Sequence, residues 1–166
     1  MKRVKQFIRG LFARLTENDY TFIADYLTKD ELDLFKTMSR YDRKHALDVG
    51  RYLAGHGAGL PLIRAGLLHD IGKANCPELT LIRRSVCVAI EAYKPEEADV
   101  LAKKGKGKLA RAINVHKNHP ELGAAILEEL AADPYIIGLV RFHQNGEAPT
   151  DVQRDLGVLR DADDRF

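Results

Sequence analysis

The sequence predicts an all-α domain, and three observations carry that prediction. Apolar residues recur at helical spacing along almost the whole chain. Alternating apolar and polar runs bounded by hairpin turns are missing. Helix punctuation falls where the periodicity begins and ends: Thr28 with Glu31 has the spacing of a capping box, and Asn145-Gly146 stops a later segment. At 166 residues, 45% hydrophobic and 30% charged, the chain suits one compact core rather than a disordered segment.

The first fifteen residues form a basic amphipathic segment, with Val4, Phe7, Ile8, Leu11, Phe12 and Leu15 on one face among Lys2, Arg3, Lys5, Arg9 and Arg14. Such a segment suits packing onto the domain or a partner, and also attachment to acidic lipid. Thr16 caps a second helix, and Thr28 opens a third through Leu32, Phe35 and Met38. Residues 1–40 therefore read as a helical extension packed on a domain spanning 41–166. A helix over 42–54 follows and ends in the glycines of 55–59; another spans 61–73, where Gly72 and Pro77 interrupt. Residues 78–93 are again helical, and Pro95 starts a short segment that runs into an exposed, lysine-rich loop at 103–108. Pro120 suits the first turn of a helix over 120–131. Asp133 caps the segment 134–143, and Thr150 caps the last helix. No repeat or low-complexity linker is visible, and the longest candidate insertion lies at 74–113.

Bulk properties exclude some functions. Lys and Arg outnumber Asp and Glu by only 26 to 24, so electrostatics gives no case for nucleic-acid binding, and none is expected. No run approaches the roughly 20 apolar residues of a membrane span. Cys76 and Cys87 have neither metal-pair nor redox-motif spacing, and no secretory signal precedes them, which points to a reducing cytoplasm. Oligomer formation stays open.

The residues that carry chemistry are histidines and aspartates. His69-Asp70 sits in Leu67-Leu68-His69-Asp70-Ile71-Gly72-Lys73, at the end of an otherwise apolar helix. A carboxylate buried there needs a cation, and a metal ion supplies one while taking imidazole as a further ligand. His45 shares a helical stripe with Val49, Tyr52 and Leu53, and His143 follows Ile136, Leu139 and Val140 on another. His119 stands just before Pro120. Each alone reads as a satisfied core histidine; four together read as a site. Asp161, Asp163 and Asp164 crowd the last turn of the final helix, where the helix dipole disfavours negative charge.

In order, His45, then His69-Asp70-Ile71-Gly72-Lys73, then His119-Pro120-x-x-Gly123, then His143, then Ala162-Asp163 resemble the HD-domain phosphohydrolase superfamily over residues 41–164. The resemblance implies a compact HD-domain helical bundle with His45, His69, Asp70 and Asp163 as core metal ligands, Asp70 bridging when two ions bind. His119 and His143 match the extra histidines of the binuclear branch, similar to the HD-GYP cyclic-dinucleotide phosphodiesterases and the cyclic-di-AMP hydrolases. Two divalent ions are thereby implied, of iron, manganese, nickel, cobalt or zinc. Held about 3.5–4 Å apart, they acidify a water and polarise a phosphoryl oxygen. Asp70 and Lys73 are the implied catalytic residues, Lys73 facing substrate phosphate or capping its helix. The substrate is expected to be a small phosphorylated molecule of nucleotide type, cleaved as a phosphomonoester or phosphodiester.

Departures matter. The Gly-Tyr-Pro tripeptide is missing and Gln144 replaces a second histidine of the HD-GYP branch, so cyclic di-GMP is not implied as substrate. Asp161 is an alternative to Asp163. Arg83, Arg84 and Lys103, Lys104, Lys106 and Lys108 read as a nucleotide clamp or as solvated surface. His116 and Asn118 flank His119 as supporting residues, and His56 reads as exposed. Two rival functions share the pattern: a di-iron HD oxygenase, and a non-catalytic nucleotide-binding regulatory module.

Overall fold

The computed structural model describes residues 14–74, 76–144, 146 and 148–166. The basic segment at 1–13 lies outside the described residues. Among these, nine α-helices and no strand are found: α1 (Glu17–Tyr26), α2 (Lys29–Thr37), α3 (Arg40–Gly55), α4 (Leu60–Leu68), α5 (Leu81–Tyr93), α6 (Pro95–Lys104), α7 (Lys108–Glu129), α8 (Pro134–Phe142) and α9 (Thr150–Asp163), with a 3-10 turn at Ile71–Lys73. The architecture is an all-α bundle, as the periodicity predicts. No helix among the described residues is long and apolar enough to cross a membrane.

Caps set most of the boundaries. Thr16 and Thr28 each accept from the backbone N–H three residues on, and Asp19 and Glu31 return the bond, completing two capping boxes. Ser39 caps α3, Thr80 caps α5 and Asp133 caps α8. Thr150 is instead the first residue of α9, behind Pro149.

One apolar core joins Ile23, Leu27, Phe35 and Met38 from α1 and α2 to Leu47, Leu53, Leu67, Leu68, Ile136, Leu139 and Leu156. Fully burying a leucine or isoleucine is worth about 1.5–3 kcal/mol, so α1 and α2 are anchored by the same core that holds the later helices. A smaller cluster of Leu79, Cys87, Ala98, Ala112 and Ile113 packs α5 and α6 onto the first turns of α7.

Two elements differ from the sequence expectation. The segment 61–73 is not one helix: α4 stops at Leu68, and Asp70 leaves the helical conformation at φ −94°, ψ 7° before the 3-10 turn. The turn lies directly on α7. A Cβ on Gly72 would meet the His119 carbonyl oxygen at 2.0 Å and the Gly123 nitrogen at 2.6 Å, so only glycine permits this backbone approach.

The second difference is Pro120, which the sequence places at a helix start. In the structure α7 runs through it, from Lys108 to Glu129. Proline removes the N–H that would bind the carbonyl four residues back, here that of His116. His119 Nδ1 donates to that carbonyl at 2.8 Å instead. The freed acceptor is satisfied, and the buried Pro120 ring packs in the interior.

Candidate metal centre

The fold brings together all six residues expected as ligands. His45 lies in the second turn of α3, His69 caps the C-terminus of α4, and Asp70 begins the 3-10 turn. His119 sits in the middle of α7, His143 caps α8 and Asp163 ends α9. His69, Asp70, His119 and His143 are buried; His45 and Asp163 are half-buried.

Three triads have potential ligand atoms within 4.8 Å of one another: His45, His69 and Asp70; His69, His143 and Asp163; Asp70, His119 and His143. The imidazoles form an arc in the order His45, His69, His143, His119, with successive ring centroids 5.2, 5.1 and 5.1 Å apart. Carboxylates sit against it. Asp163 Oδ1 is 2.8 Å from His45 Nε2 and 3.4 Å from His69 Nε2; Asp70 Oδ1 is 3.2 Å from His119 Nε2 and 3.6 Å from His69 Nε2. Asp161, the alternative, is exposed.

Local backbone dictates how the rings point. His69 Nδ1 donates to the Gly66 carbonyl at 2.9 Å, His119 Nδ1 to His116 at 2.8 Å, and His143 Nδ1 to Val140 at 2.7 Å. A carbonyl can only accept, so each Nδ1 carries a proton, and each ring turns its Nε2 to the cluster. Every acceptor lies three residues back in the ring's own helix. That regularity is a product of the helix geometry.

Residues 43–165 match the family model described as HD domain. The chain belongs to the HD-domain family. Neither curated proteins nor solved structures gave a match. HD domains are in general metal-dependent phosphohydrolases that bind divalent ions.

The electrostatics of this HD domain fit such ions. Burial disfavours charge on Asp70, but Lys73, His69 and His119 outweigh it and hold the carboxyl well below the usual range. Burial is likewise outweighed at Asp163, where the hydrogen bond with His45 and the nearby His69 imidazole lower the pKa. Burial opposes the His69 imidazolium, yet Asp70 and Asp163 hold it up at about 9. At His143 burial and the neighbouring imidazoles push the pKa down to about 3, and at His119 burial and Lys73 also lower it.

Two features test whether the donor set fits a cation. His69 Nε2 is buried without a hydrogen-bond partner. His119 Nε2 and His143 Nε2 face each other at 3.2 Å with both Nδ1 atoms committed to carbonyls. Two lone pairs at that separation repel, and a cation in front of them removes the repulsion. The C-termini of α4, α8 and α9 also end here, and their partial negative charge favours a cation. The residues present fit divalent metal ions.

Lys73 Nζ is 2.6 Å from Asp70 Oδ1 with its side chain 12% exposed. His116 is half-buried, with Nε2 3.4 Å from Glu91 Oε2, and it supports His119 through its carbonyl. Asn118, His56 and Lys103, Lys104, Lys106 and Lys108 are exposed. The arginines separate: Arg83 donates to the Glu78 carbonyl, whereas Arg84 reaches Asp42 on α3 at 2.6 and 2.7 Å. Arg84 was singled out from the sequence as part of a nucleotide clamp, but its partner Asp42 and Tyr41, beneath it at 5.4 Å, were not. Only the position of Tyr41 and Asp42, just before His45, could have signalled them.

Proposed function

We propose that this chain is a metal-dependent phosphohydrolase that cleaves a small phosphate ester of nucleotide type, with His45, His69, Asp70, His119, His143 and Asp163 holding two divalent ions. The observation that carries the reading is the sharing of Asp70 between two triads, one with His45 and His69, the other with His119 and His143. One carboxylate with histidines on both sides suits a bridging ligand. Divalent ions held there would supply Lewis acidity for in-line displacement at phosphorus by a metal-activated water.

The chain's own residues do the rest. The three Nδ1–carbonyl bonds fix the orientation of His69, His119 and His143, so these imidazoles need not reorganise when a ligand binds. Lys73 is held at the cluster by Asp70 and keeps part of its side chain in solvent. From there its ammonium can neutralise a phosphoryl oxygen and give a proton to the departing alkoxide.

The test is turnover by purified protein loaded in turn with manganese, iron, nickel, cobalt or zinc, on phosphomonoesters, nucleotides and cyclic dinucleotides, with Asp70→Ala as control. Phosphate release without oxygen, abolished by Asp70→Ala, is expected. Iron-dependent oxygen uptake in place of phosphate release would move the chain to the oxygenase reading. Absence of both, with bound nucleotide, would make it a regulatory module.

A further inference from the structure

Arg84 is placed unusually for a surface-helix arginine. It lies on α5, yet its guanidinium crosses to α3, where both terminal nitrogens bond Asp42, and its Nε donates to the Leu79 carbonyl at 3.1 Å. The Asp42 side chain is fully buried and the Arg84 side chain is 14% exposed. Buried ion pairs are weak contributors to stability, because desolvation offsets attraction. What the pair does supply is a fixed guanidinium. Three of its five N–H groups are committed to Asp42 and Leu79, which leaves two donors whose direction is set by the first three.

The position of that fork relates it to the metal centre. Tyr41, whose ring lies under Arg84 at 5.4 Å, is on α3 one turn before His45. Tyr41 and Asp42 stand four and three residues before His45, on the same face of α3, so the arginine they hold lies one turn from this ligand. Lys73 stands at the same centre, with its Nζ 2.6 Å from Asp70 Oδ1. The Arg84 and Lys73 side chains are 14% and 12% exposed, neither buried nor free. Beside Tyr41 and Arg84 opens a cavity of about 210 Å³, floored by Leu79 and Leu81.

We propose that Arg84, positioned by Asp42 and backed by Tyr41, forms a second anion subsite beside the metal centre, which takes a phosphate of the substrate other than the one that reacts. The substrate class is thereby a nucleotide-type ester with at least two phosphates. This rests on the phosphohydrolase reading above. Lys73 serves the reacting phosphoryl group and Arg84 the second one. A fixed guanidinium with two uncommitted donors, one turn of α3 from His45, suits an anionic group of the substrate that the metal ions do not take.

The test compares wild type with Arg84→Lys and with the double variant Asp42→Asn/Arg84→Gln, which leaves no unpaired buried charge if the lysine variant folds poorly. In the manganese-loaded full chain, KM and kcat are measured for p-nitrophenyl phosphate and for adenosine 3′,5′-bisphosphate. In parallel, calorimetry gives the Kd of orthophosphate and pyrophosphate. Wild type should favour the two-phosphate member of each pair. In both variants that preference should fall about tenfold, through KM rather than kcat, the loss expected for one charge-assisted contact. A wild type with no preference, or variants that weaken both members equally, would overturn the subsite. Failure of all turnover would refute the phosphohydrolase reading instead, and the pyrophosphate-to-orthophosphate ratio would still decide for or against Arg84.

Discussion

Gly72→Ala isolates the contact that holds the Asp70 turn against α7. The added methyl would lie 2.0 Å from the His119 carbonyl oxygen and 2.6 Å from the Gly123 nitrogen, both backbone atoms that no rotamer change can move. A carbon–oxygen contact relaxes at about 3.3 Å, so against the 2.0 Å of the structure the turn and the helix must part by about 1.3 Å. Overpacking of this kind costs about 1–3 kcal/mol, and rigid partners on both sides place it near the upper end. The same displacement opens the 3.2 Å separation between Asp70 Oδ1 and His119 Nε2. Misplacement on the order of 1 Å in a reacting site loses about 100-fold in rate. Urea denaturation of the metal-free protein, manganese titration and phosphatase turnover should therefore all fall together in G72A. Wild-type stability with unchanged manganese affinity would show that the turn does not need its glycine, and the reasoning from backbone approach would be wrong.

Two further substitutions probe the supports of the site. Pro120→Ala restores an N–H that competes with His119 Nδ1 for the His116 carbonyl; the helix should gain up to about 1 kcal/mol in a denaturation curve while manganese affinity falls on the order of tenfold. Asp42→Ala strands the Arg84 guanidinium, whose side chain is 14% exposed; stability should fall by about 3 kcal/mol, and Asp42→Ala/Arg84→Met should recover most of it in the same denaturation assay.

Much of the site was legible because helical periodicity reports direction. His45 and His143 share stripes with core residues, so their inward orientation follows from spacing alone. His69, Asp70 and Asp163 gain from standing at helix ends, where polar groups inside an apolar context are anomalous. Pro120 misled because its local rule is real: a proline does remove an interior bond. The replacement comes from a neighbouring ring, His119, which a rule about backbone alone does not contain. The early end of α4 has a similar origin, since the approach of Gly72 to Gly123 depends on residues about 50 apart in sequence. Arg84 and Asp42 form a pair with a separation of 42 residues, and charge pattern along one helix carries no information about it.

The claim on which the account stands is that Asp70 belongs to two groups of metal ligands at once. Metal content of the purified full chain, measured by plasma mass spectrometry after equilibration with manganese and removal of free ion, tests it directly. Wild type should retain two equivalents per chain and Asp70→Ala fewer than one, because the variant breaks both triads that contain this carboxylate. A wild type that retains no metal, or an Asp70→Ala protein that retains as much as wild type, would contradict the account.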